Sequence, residues 1–241
     1  VGGVIGSNIA NVMLVLAIAM LIGAASQPDK DLKQDALMLL AATTFVVLSV
    51  VMGEFPVWLG VLSISSMGGY YAYIFRTREG DDSDEEDSWI PRGYAYALVA
   101  FLFGLILVKF GSDLLIEGGV GLAISIGVSE AVIGLTLVAF GTSLPELAVT
   151  ITASIRGVQG VAIGNILGSN VANVMAVLGI GAIVAQGLSV SGSFLTLDIW
   201  VLLVSSGIIG VSILLGKGVS KPLGAFLLLG YFVYVAQLFI G

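Results

Sequence analysis

Cysteine and histidine are both absent from the 241 residues. Their absence excludes disulfides, thiolate metal sites and thiol or imidazole chemistry, and leaves the redox compartment open. Any proton carrier must therefore be a carboxylate. Charge is scarce as well: 10% of residues are Asp, Glu, Lys or Arg, against 58% hydrophobic, with a mean hydropathy of +1.10. A water-soluble domain needs a polar coat that this composition cannot supply, so the chain reads as an integral membrane protein. It reads as neither an enzyme nor a nucleic-acid binder.

Crossing roughly 30 Å of hydrocarbon takes about 20 apolar residues, and eight segments qualify: 3–25, 36–53, 56–76, 94–116, 131–155, 161–185, 194–215 and 221–240. None has the form of a cleaved signal peptide. The segments lack the period-two alternation of a barrel strand, and lipid tolerates no unpaired backbone, so helices are expected. The expected fold class is an all-α polytopic membrane protein.

The net charge of -7 belongs to one place. The run EGDDSDEEDS, Glu79 to Ser88, holds seven acids, without which acids and bases balance. It lacks the alternating spacing of a calcium loop and reads as a solvated linker over 77–93. Lys30, Lys33, Arg76, Arg78, Arg92, Arg156, Lys217 and Lys221 all fall in connections on one side. By the positive-inside rule that side is cytoplasmic. The expected location is the cell (plasma or inner) membrane, with the linker inside and the C-terminus outside.

A repeat organises these spans. GSNVANVMAVLGI, Gly168 to Ile180, has a near copy in GSNIANVMLVLAI, Gly6 to Ile18. The spans after each copy match in order, so the unit is five helices: 94–241 holds all five and 1–76 the last three. Five is odd, so the copies cross the membrane in opposite directions, as in the inverted-topology repeat transporters of 5+5 helices, with eight present here. The comparison predicts about 70 residues ahead of Val1, in two helices, the second with a Pro followed by an acid.

The fifth span carries the chemistry, in VAFGTSLPELAV. Glu146 sits mid-membrane in about 25 otherwise uncharged residues, where a carboxylate costs a few kcal/mol and is functional by default. A protonated Glu kept only for packing is the competing account. Pro145 cannot donate to the Gly141 carbonyl, so a kink is expected there that releases backbone oxygens inward. Thr142 and Ser143 add hydroxyls, and Thr142 shares a helix face with Glu146. Such hard oxygen donors suit Na+ or Ca2+. The sixth span adds a polar stripe, Asn165, Ser169 and Asn173, with Gly164 and Gly168 as a small pair that lets a helix approach. Helix-packing glue is the plain alternative. Ser7 and Asn11 duplicate the stripe in the first span, and inverted copies meet near the midplane.

GTSLPE at 141–146, followed by GNILGSNVAN at 164–173 and preceded by GSNIAN at 6–11, resembles the sodium/calcium exchanger family of the cation/calcium antiporter superfamily, in its prokaryotic form. The resemblance implies ten helices, with two inverted helix pairs at the core, and electrogenic exchange of Na+ for Ca2+ as transported ions. It implies ligands at the Ala139 carbonyl, Thr142, Ser143, Glu146, Ser169, Asn173, Ser7 and Asn11. A further carboxylate belongs to a first GTSLPE-like motif, which this sequence does not show. Asn173, where some members carry Asp, tilts the reading away from potassium coupling.

The implied mechanism is mutual exclusion of one Ca2+ and a few Na+ at a shared site, for which a monomer in membrane lipid suffices. A Ca2+/H+ antiporter with Glu146 as proton carrier, and a cation channel, remain alternatives. Lys109 and Asp113 are spaced for an internal pair. Glu54, Glu117, Glu130 and Asp198 fall near span ends and read as solvated at the interface. Trp58, Trp89, Trp200, Tyr70, Tyr71 and Tyr94 read as interface anchors.

Overall fold

A computed structural model describes residues 1–24, 28–78, 92–128 and 130–240. Helices occupy all eight expected places. They are α1 (Gly2–Ile22), α2 (Lys30–Met52), α3 (Val57–Arg78), α4 (Arg92–Ser125), the bent pair α5 (Gly134–Thr142) and α6 (Leu144–Ile155), α7 (Gln159–Val184), α8 (Asp198–Leu214) and α9 (Lys221–Ile240). Among the described residues, α1, α2, α7 and α9 are each long and apolar enough to cross a membrane, and the bent pair makes a fifth such span. Large apolar side chains such as Leu98, Phe103, Phe110, Phe226 and Phe232 stand exposed on the outside, the surface that lipid requires. The acidic run and Trp89 lie outside the described residues, as does the side chain of Tyr94.

The inverted repeat is visible in the packing. α3 lies along the second half of α7, as α9 does along α1, while α2 and α8 pack on each other. At the first of these crossings a Cβ on Gly60 would stand 2.7 Å from the Gly179 carbonyl oxygen. At its counterpart, one on Gly224 would stand 2.9 Å from that of Ala17. Only glycine allows backbones this close. A π-helical stretch follows at matching places, Asn11–Leu16 in α1 and Asn173–Leu178 in α7; such widened turns cluster at functional sites. Each repeat also carries an Asp–Tyr pair joining neighbouring helices. Tyr70 of α3 donates to Asp35 of α2, and Tyr234 of α9 donates to Asp198 of α8 at 2.8 Å. The strands β1 (Glu54–Phe55) and β2 (Leu188–Ser189) pair antiparallel. This joins the connections after α2 and α7 on one face, as the even number of crossings between them demands.

Several expectations change. The fourth span runs past 116 to Ser125 and is 34 residues long. Its glycines at 118, 119 and 121 do not end it, because in lipid the helix is what satisfies their backbone groups. α8 begins at Asp198, not 194, because Gly192–Leu195 form a 3-10 turn. Asp198 is not solvated at an interface but buried at 5% exposure beside Tyr234, and Tyr70 is likewise an acid's partner as well as an aromatic near a boundary. Lys109 and Asp113 do pair, at 2.7 Å, yet both side chains are largely exposed on α4 and are not internal. Of the pair Gly164 and Gly168, expected to let a helix approach, Gly164 faces α2, where a Cβ would meet Asp35 Oδ2 at 3.6 Å, and a tighter contact lies at Gly6. A Cβ there would meet Ala139 Cβ at 2.9 Å and the Leu135 backbone at 3.0 Å, whereas Gly168 has nothing within 4 Å among the described residues.

Candidate ion-binding site

The fifth span breaks at Ser143, where α5 and α6 diverge by 51°. Ser143 adopts φ -91°, ψ 0°, and Pro145 stands in the first turn of α6, a position that needs no amide donor. The carbonyl freed at Gly141 does not face inward as expected. Ser112 of α4 donates its hydroxyl to that oxygen, because a carbonyl left open between packed helices must find a donor. The Ala139 carbonyl accepts the Ser143 amide at 3.2 Å and the Thr142 hydroxyl at 3.0 Å.

Around this break the predicted residues gather. Ser169 of α7 donates to Glu146 Oε1 at 2.8 Å and accepts from Asn11 Nδ2 of α1 at 3.3 Å. Ser7 Oγ and Thr142 Oγ1 share a hydrogen bond of 2.8 Å. Asn165 holds the start of α6 from below, donating to Thr150 Oγ1 at 3.0 Å and to the Glu146 carbonyl at 3.4 Å. Asn173 is half-buried and donates not to these residues but to Asn8 Oδ1, at 3.1 Å. Thr142 is exposed, whereas Ser7, Asn11, Ala139 and Ser143 are buried.

Three oxygens in this cluster are buried and have no hydrogen-bond partner among the described residues: Glu146 Oε2, Ser143 Oγ and Asn11 Oδ1. A buried acceptor left unmade costs about 1–3 kcal/mol, so three on residues linked through Ser169 and the turn at Ser143 require something to satisfy them. All are hard oxygens, one of them from a carboxyl group. That donor set fits a Na+ or Ca2+ ion and offers nothing to a soft metal. Among the described residues no group of three or more acids gathers anywhere, so neutral oxygens dominate the site.

Sequence reasoning passed over two residues here. Asn8 and Asn170 follow Ser7 and Ser169 and fall off the four-residue stripe, yet they are 3% and 0% exposed and bond across the repeats. The signal available was the duplication itself, since each lies inside a copied GSN triplet.

Residues 1–76 and 96–240 match the family model described as sodium/calcium exchanger protein. The chain belongs to this family. Among its relatives, CaxA of Alkalimonas amylolytica, which bears the name putative antiporter, is 30% identical over 252 residues, covering 99% of this chain and 78% of CaxA. An uncharacterized membrane protein of Methanocaldococcus jannaschii is 34% identical over 185 residues, covering 76% of this chain and 60% of its own length. The sodium/calcium exchanger MaX1 of Methanosarcina acetivorans is 50% identical over a shorter stretch of 84 residues. In three dimensions the chain resembles the sodium-calcium exchanger NCX_Mj, from crystals soaked with 10 mM Na+ and zero Ca2+. The TM-score is 0.75 at 29% identity, over 98% of this chain and 75% of NCX_Mj.

Proposed function

We propose that this exchanger-family chain moves Ca2+ against Na+ by alternating access, at the oxygen cluster centred on Glu146. The observation that carries this reading is the trio of buried, unpartnered oxygens, Glu146 Oε2, Ser143 Oγ and Asn11 Oδ1. They stand where two helices of opposite sense meet a broken third. The Ala139 carbonyl, Thr142, Ser7, Ser169 and Asn173 supply neutral oxygens around them, within the six to eight that Ca2+ takes.

In this reading the cluster holds either Ca2+ or Na+, and shared ligands make the two exclude each other. Glu146 contributes the negative charge, and the hydroxyls and amides replace water as the ion sheds its hydration. A full balance for Ca2+ asks for a second carboxylate beyond Glu146. The break at Ser143 gives the site a joint between α5 and α6 through which either face could be opened.

The test is 45Ca2+ uptake into proteoliposomes loaded with Na+. Uptake should depend on the outward Na+ gradient, saturate with Ca2+ and collapse when Na+ is equal on both sides. Uptake driven instead by a pH gradient without Na+ would replace Na+ with H+ as the coupling ion. Uptake with no gradient dependence at all would defeat the antiport reading.

A further inference from the structure

Four amides from the two repeats bond to one another: Asn8 and Asn170 close a reciprocal ring, and Asn11 and Asn173 each dock on one of its members. Asn8 Nδ2 donates to the Asn170 backbone carbonyl at 3.3 Å, and Asn170 Nδ2 donates to the Asn8 backbone carbonyl at 3.1 Å. The side-chain oxygens then accept from the opposite repeat. Asn11 Nδ2 donates to Asn170 Oδ1 at 2.9 Å, and Asn173 Nδ2 to Asn8 Oδ1 at 3.1 Å. Every bond crosses between α1 and α7.

The chemistry of the ring fixes which way each amide points. A backbone carbonyl can only accept, so the NH2 ends of Asn8 and Asn170 must face those carbonyls and their oxygens must face outward. An outward oxygen demands a donor. Asn11 and Asn173 therefore turn their own NH2 ends toward the ring, and for Asn11 this leaves Oδ1 on the other side, buried and unpartnered. The reverse flip would set two amide oxygens against each other and present NH2 hydrogens to a cation.

We infer that Asn170 and Asn8 are positioning residues of the ion site: each orients the amide of the opposite repeat, so that the Asn11 carbonyl, and by the same geometry that of Asn173, is available to a cation. This rests on the proposed cation site. Neither residue lies on the Ser–Asn stripe, and neither is needed as a ligand. Since each repeat aims the other's amide, the two halves of the site are set together.

The test is a double-mutant cycle on the concentration of Ca2+ giving half-maximal Na+-gradient-driven uptake. Asn170→Ala should raise that concentration about tenfold, the effect of one misdirected ligand, with a smaller change in maximal rate. In the Asn11→Ala background Asn170→Ala should add little, because the amide it aims is gone. Effects that multiply in the double variant, or an Asn170→Ala protein with unaltered Ca2+ dependence, would overturn the inference. An Asn11→Ala protein with unaltered Ca2+ dependence would instead strike at the proposed site. If Asn170→Ala does not fold, the same cycle is run with Asn8→Ala and Asn173→Ala.

Discussion

Glu146→Gln should reduce Na+-gradient-driven 45Ca2+ uptake to the background of empty vesicles, while the protein remains folded and monodisperse in detergent. The substitution keeps the shape of the side chain and its Oε1 acceptor for Ser169, so α6 and α7 should stay packed. What it removes is charge. Taking away one member of a buried, mutually neutralising pair costs about 3–5 kcal/mol, which is about two to three and a half powers of ten in affinity. Because only one acid is among the residues gathered here, neutral oxygens cannot make up that loss. Uptake at the wild-type level in the variant would remove Glu146 from the ion pathway. A variant that fails to fold would point to the competing account, a carboxyl kept for packing.

The second large effect is expected at Gly6. A Cβ on this residue would stand 2.9 Å from Ala139 Cβ and 3.0–3.1 Å from the Leu135 backbone. Two of the three obstacles are backbone atoms, which cannot rotate away. Overpacking of this kind costs about 1–3 kcal/mol, and here it would push α1 from α5, separating Ser7 from Thr142 across their 2.8 Å contact. Gly6→Ala should therefore lower the melting temperature and cut Ca2+ uptake several-fold, and Gly6→Val should abolish uptake. Both are read by thermal denaturation in detergent alongside flux. If Gly6→Val transported normally, the approach of α1 to the break would not matter for the site.

Much of this architecture was legible in the sequence because its causes are local or periodic. Span lengths follow from bilayer thickness, and the copied GSNxAN stretch announced two related halves before any contact was seen. The break could be read from Pro145, whose missing amide fixes where a helix cannot continue. What lay hidden were pairings across long sequence separations. Nothing near Gly141 indicates that Ser112, 29 residues earlier, takes its carbonyl. Asn8 and Asn170 are 162 residues apart, and each sits one residue off the helical stripe that drew attention to Ser7 and Ser169. Asp198 differs from expectation for a related reason: its position near a span end suggests solvent, whereas Tyr234, 36 residues on, folds over it. Chain position indicates depth in the membrane, but not which side chain arrives from a neighbouring helix.

The two Asp–Tyr pairs and the paired glycine crossings make the same point about symmetry. Asp35 with Tyr70, and Asp198 with Tyr234, occupy matching places although their surroundings in sequence share little. Gly60 and Gly224 do so as well. The repeat is thus kept at contacts where backbones touch or buried polar groups need partners, and has drifted elsewhere, where lipid accepts any large apolar side chain.

In the proposed site the unpartnered oxygens of Glu146, Ser143 and Asn11 together hold the transported cation. Anomalous diffraction from crystals of the protein grown in Ca2+ tests it most directly. A calcium peak is expected about 2.3–2.6 Å from Glu146 Oε2, Ser143 Oγ and Asn11 Oδ1 at once, lost when Na+ is in excess. A calcium peak elsewhere, with these three oxygens bonded to water or to one another, would contradict it.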